Sequence, residues 1–105
     1  MTAFTGNTTT STPTVATATS TTVLAANPFR KCLIIQNASA ANIAIGFEGQ
    51  TLTGIAPTAT NKCYVLTSTA GSNVVRFTEG FVPGGAITAY QASGSSINTL
   101  VVIEG

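Results

Sequence analysis

Large apolar residues at Ile43, Ile45 and Phe47 alternate with the smaller Asn42, Ala44 and Gly46. A period of two residues predicts a strand with its large side chains turned to a core. Val75 and Phe77 alternate in the same way with Val74 and Arg76, and Leu100 and Val102 with Val101 and Ile103. The last run is apolar on both faces, which predicts a strand that is central or covered on both sides. The same reasoning gives strands near Val15 to Thr19, Thr22 to Ala25, Lys31 to Gln36, Asn42 to Phe47, Cys63 to Ser68, Asn73 to Thr78, Ala86 to Gln91 and Thr99 to Glu104. Clusters of Gly, Pro, Asn and Ser separate them. The stretch from Gly80 to Gly85 reads as a turn-rich loop. The longer one from Gly49 to Thr58 leaves room for a short strand at its centre. No segment has an apolar period of 3.6.

The expected fold is all-β: a jelly-roll-like β-sandwich of about eight short antiparallel strands with an extended N-terminal arm. A small Greek-key barrel would give the same spacing. The chain divides into an arm over residues 1–20 and a sandwich domain over residues 21–105. Half of residues 1–22 are threonine, with Pro13 among them and no charge. Such a segment cannot build its own core. Ordering it alone would cost roughly 1–2 kcal/mol per residue in backbone entropy. Threonine favours extended backbone, so strand addition to a neighbouring polypeptide is the expected mode, with the isolated arm mobile. Packing back on its own domain is the alternative.

Composition changes the picture in one respect. At 105 residues the chain is one domain with a modest core. Only 7% of it is charged, against a typical ~25%. A surface with so few charges suits a protein covered by partners in an assembly better than a free monomer. The net charge is +1, and only Arg30 and Lys31 are adjacent cations, which argues against nucleic acid as a partner. No apolar run approaches the ~20 residues of a membrane span, so no membrane partner is expected. Met1 to Asn7 does not read as a signal peptide. Cys32 and Cys63 are expected to be reduced and largely buried, with a disulfide as the alternative if their strands are neighbours.

Catalytic chemistry finds little to work with. The chain has no histidine and no aspartate, which removes the usual triads and the commonest general base. Glu48, Glu79 and Glu104 each sit beside a glycine and read as loop carboxylates rather than a glycosidase pair. Two cysteines without histidine make an incomplete zinc set. The glycines lack the helix and the Lys-Ser/Thr ending of a phosphate loop. No catalytic residue, cofactor or metal site is expected, and the chain does not read as an enzyme. The candidate partner-binding residues are Phe4, Phe29 and Phe81, aromatics in the arm or loops, together with Arg30 and Lys31. The two cations either meet an acidic partner or guard an edge strand against unwanted pairing.

The segments Val23 to Asn37 (VLAANPFRKCLIIQN), Asn42 to Phe47 (NIAIGF) and Thr99 to Gly105 (TLVVIEG) carry a resemblance. Together they look like a group of small β-sandwich virion structural proteins of tailed bacteriophages, of the capsid decoration or cement type. The resemblance implies a non-enzymatic protein made in the host cytoplasm and located on the outer capsid surface. There it would bridge and stabilise subunits of the major capsid protein, with Arg30 and Lys31 meeting shell carboxylates. It implies self-association too, with a homotrimer matching the three-fold positions of a shell and a dimer as the alternative. A tail or head-fibre component, acting as a glycan- or receptor-binding β-module, is the other function consistent with the same residues.

Overall fold

A computed structural model describes residues 8–92 and 98–105. Phe4, one of the candidate contact residues, lies outside them. The described residues form nine strands and no helix. These are β1 (Thr9–Ser11), β2 (Thr14–Val15), β3 (Thr21–Leu24), β4 (Leu33–Asn37), β5 (Ile43–Gly46), β6 (Tyr64–Leu66), β7 (Val74–Phe77), β8 (Ile87–Gln91) and β9 (Asn98–Glu104). Seven of the eight strands read from the sequence are present, with shifted ends. Of the eighth, expected over Val15 to Thr19, only Val15 lies in a strand, because the chain turns at Ala18 to cross to the other sheet; β1 is additional. The centre of the Gly49 to Thr58 stretch forms no strand.

The strands make two antiparallel sheets. One runs β1-β9-β4-β7 with β2 also on β9; the other runs β3-β8-β5-β6. The pairing is nested: β5 with β6, β4 with β7, β3 with β8 and β2 with β9. A long hairpin with its tip between β5 and β6 is thus rolled up, and every other connection from β2 onward crosses between the sheets. This is the order of an eight-stranded jelly roll, which separates it from the barrel alternative.

Alternation decides which side chains enter the core. Leu33 and Ile35 of β4 and Leu100 and Val102 of β9 point inward from the first sheet. Ile43, Ile45, Leu66, Ile87 and Ala89 meet them from the second. Each large member contributes roughly 1.5–3 kcal/mol by leaving water. Phe47 and Phe77 close one side edge-to-face, with ring centroids 5.7 Å apart. The doubly apolar β9 is central, between the N-terminal strands and β4. Its outward residues Val101 and Ile103 stay half-buried beside Ile34.

The threonine-rich segment lies on its own sandwich. Thr9 to Ser11 and Thr14 to Val15 pair with β9 in one unbroken register, from Thr9 opposite Glu104 to Val15 opposite Asn98. Pro13 sits between the two strands. It lacks an N–H, yet its carbonyl still accepts a bond of 3.1 Å from the Leu100 N–H. The missing N–H faces β9, so the ladder between this edge segment and β9 lacks one bond there. Val15 is 1% exposed and belongs to the core. Residues 9–15 therefore adopt the alternative placement, with β9 of the same chain taking the role expected of a neighbour.

Candidate functional site

The loops at residues 25–32, 47–63 and 78–86 gather at one end of the roll, next to Gly105. Asn27 begins the organisation of this end. Pro28 forces it out of helical geometry, and its Oδ1 accepts the Phe29 N–H at 3.1 Å in a side-chain-closed turn. The Asn27 N–H donates to the Gly84 carbonyl at 2.8 Å and so ties the first loop to the third. Gly84 permits this approach, since a Cβ there would lie 3.1 Å from the Pro28 Cα.

The turn sends Arg30 inward. Its Nε donates to Glu104 Oε2 at 2.8 Å. Its remaining nitrogens donate to the carbonyls of Pro83 at 2.5 Å, Gly85 at 3.2 Å and Ala25 at 2.9 Å. Asn27 Nδ2 reaches the same Glu104 oxygen at 3.2 Å. Arg30 is 5% exposed. The acidic partner proposed for it by its sequence position is an internal one, and its guanidinium is not presented to another protein. Lys31 behaves differently: its side chain is exposed, while its backbone N–H donates to the Gly105 carbonyl. Phe29 and Phe81 stand out from the two tied loops, 84% and 76% exposed. Of the sequence candidates, the structure brings Phe29, Lys31 and Phe81 to one outer end and withdraws Arg30 beneath them.

A shallow depression of about 360 Å³ opens beside the second loop. Phe47, Glu48, Gln50, Pro57, Lys62, Cys63 and Tyr64 line it. Glu48 and Gly49 have φ values of +58° and +70°, and the Gln50 N–H donates back to the Phe47 carbonyl. This is the backbone of a type I′ turn, in which glutamate is a strained choice. Gly85 packs under it, since a Cβ there would lie 2.7 Å from the Glu48 Cα. Glu79 is not among the lining residues, so the depression does not pair it with Glu48.

Asn61 braces the second loop from within. It is buried, its Nδ2 donates to the carbonyls of Gly54 and Ala56, and its Oδ1 accepts the Thr53 N–H. Sequence reasoning passed over this residue, because an asparagine in a polar loop carries no sign of burial. Strict alternation would put Lys62 and Cys63 on opposite faces. Both border the depression, because they precede β6 and lie outside its alternation.

Both cysteines are free thiols; Cys32 is buried and Cys63 only half-buried, which corrects the expectation for the second. Burial pushes the Cys63 thiol above its ordinary pKa, so the thiolate forms only at higher pH. Alkylation of the native protein should therefore label Cys63 alone. Labelling should be slow at neutral pH and accelerate as pH rises through the alkaline range. Cys32 should react only after unfolding. Intact-mass analysis over a pH series checks this, and rapid double labelling near neutrality would contradict it.

Among the described residues, no group of three or more potential metal ligands converges, and no helix is long and apolar enough to cross a membrane. Fold and loop end together define a small jelly-roll β-sandwich with an aromatic-tipped loop cluster. In comparisons with protein families, curated proteins and solved structures, nothing matches this chain.

Proposed function

We propose that this chain is a non-enzymatic structural protein of a tailed-phage virion. In this reading it is a capsid decoration protein on the outer surface of the head, made in the host cytoplasm, that bridges major capsid protein subunits as a homotrimer. The observation that carries the reading is the loop end. Two largely exposed phenylalanines, Phe29 and Phe81, stand on loops bonded to each other, with Lys31 close by in sequence and exposed. Rigidly held aromatics are the side chains that most often anchor protein interfaces. The resembling segments support it further: β4 and β9, which two of them contain, pair along their length, and the Arg30–Glu104 ion pair joins their ends. Self-association draws on the outer face of the first sheet, where Ile34, Val74, Val101 and Ile103 remain half-buried. Binding across subunit joints would favour the assembled shell by mass action.

Co-sedimentation with purified shells at physiological salt tests the reading. The Phe29→Ala, Phe81→Ala double variant should lose at least tenfold in affinity, and Lys31→Glu should weaken binding to a smaller, salt-dependent extent. Wild-type decoration by both variants would remove the loop end from the interface. A glycan-binding fibre module is favoured by a separate observation: Tyr64 is half-exposed beside a depression that carries Gln50, Glu48 and Lys62. Glycan binding that is abolished by Tyr64→Ala, with no shell binding, would make that reading the better one.

A further inference from the structure

We infer that the N-terminal strand pair, Thr9 to Val15, is exchanged between copies of this chain, each copy laying it on β9 of a neighbour. The strand is held almost wholly by backbone bonds to β9. Of residues 8–15 only Val15 is buried and Pro13 partly so, while the threonines and Ser11 are exposed. An edge strand attached in this way leaves few side-chain contacts to break. Every bond it makes is reproduced in the same register on the identical β9 of a second copy.

The connection that folds it back is short and strained. Residues 16–20 carry the chain from the first sheet to the second. Within them Ala18 has φ +51°, a left-handed conformation that alanine adopts only under constraint. The Ala18 N–H bond to the Gln91 carbonyl at 2.6 Å and the Thr17–Gln91 bridge hold it there. Opening the connection lets Ala18 return to extended backbone. Short strained hinges are the usual origin of strand exchange between copies. Exchange passed around a three-fold ring closes a trimer, and reciprocal exchange closes a dimer; both leave no free β9 edge. The exchange needs no shell, so it stands apart from the decoration reading and is measured without one.

The register supplies a direct test. Pro13 and Leu100 form a hydrogen-bonded pair, so Thr10 and Ile103, three positions along, form a close non-hydrogen-bonded pair on the outer face. Cysteines there meet the geometry of a disulfide. The full chain carrying Thr10→Cys and Ile103→Cys, with Cys63→Ser to remove the accessible native thiol, is oxidised at high concentration and run on a denaturing, non-reducing gel. Exchange predicts bands at two or more chain masses, and disulfides confined to single chains overturn it. Independently, light scattering of the wild-type chain and Ala18→Gly at matched concentrations should show the variant shifted several-fold toward monomer, since glycine relieves the hinge without opening it. A wild-type chain that is monomeric throughout, or an oligomer population unmoved by Ala18→Gly, overturns the exchange.

Discussion

Replacing Arg30 by leucine should lower the stability of the fold by about 3–5 kcal/mol, the cost expected when one partner of a buried charge pair is removed. The substitution leaves the Glu104 carboxylate with Asn27 as its remaining side-chain donor. It also strips the carbonyls of Pro83, Gly85 and Ala25 of the guanidinium that serves all three. Total stabilities are about 5–15 kcal/mol, so the midpoint of thermal unfolding should fall by on the order of 15–30 °C. Circular dichroism melts measure it. The companion double variant, Arg30→Leu with Glu104→Leu, separates two causes. If the uncompensated carboxylate dominates, the double variant recovers much of the loss, because an apolar pair can replace a buried ion pair at little cost. If the three carbonyls dominate, it stays as unstable as the single variant. A single variant with the wild-type midpoint would show that Arg30 does not staple the loop end.

The second large effect is expected at the opposite end of the roll. Asn37 is 2% exposed at the close of β4. Its Nδ2 donates to the carbonyls of Ala41 at 2.8 Å, Leu66 at 3.0 Å and Thr67 at 3.2 Å, and its Oδ1 accepts the Ser39 N–H at 2.9 Å. One side chain thus binds the turn from β4 to β5 to the end of β6 in the other sheet. Asn37→Leu keeps the γ-branched shape, with a larger side chain, but leaves those groups without their partner. The expected loss is on the order of 3 kcal/mol, from unsatisfied buried polar groups. Chemical denaturation should show a lowered midpoint with an unchanged slope, because the surface exposed on unfolding is the same. Asn37→Asp, which keeps the acceptor and loses the donors, should also be destabilising. Equal stability of the leucine variant and the wild type would show that water replaces these bonds.

The two substitutions bear on function in different ways. Arg30 lies beneath the exposed Phe29 and Phe81, so its loss should loosen the loop end and weaken any contact made there. Asn37 lies at the far end and should lower stability while leaving such contacts intact in the protein that remains folded. Comparing shell binding by the two variants below their melting temperatures separates a general loss of fold from a local loss of the interface.

From β3 onward, strand positions and inward faces were legible in the sequence, because a period of two is a local property of neighbouring residues; in the threonine-rich segment, which has no such period, the strands lie at 9–11 and 14–15 rather than over 15–19. Ile43, Ile45, Leu100 and Val102 declare their burial by alternation alone. The apolar residues on both faces of β9 read as a strand either central or covered on both sides, and β9 is central in its sheet. The fates of Arg30 and Lys31 were not legible. They are adjacent in sequence and identical in charge, yet one is enclosed and the other exposed. The difference depends on Glu104 and on the carbonyls at 83 and 85, more than fifty residues away. Asn37 and Asn61 are similar cases, polar side chains whose burial is set by carbonyls that only the assembled loops bring within reach. The threonine-rich segment is the limiting case. Its composition fixes that it is extended and needs a sheet edge, but the edge it takes is chosen by the exposed side of β9 and by the hinge at Ala18, which exist only once both sheets are folded. Local patterning determines which residues become strands and which face is apolar; partners distant along the chain decide which polar groups are enclosed and which edge is filled.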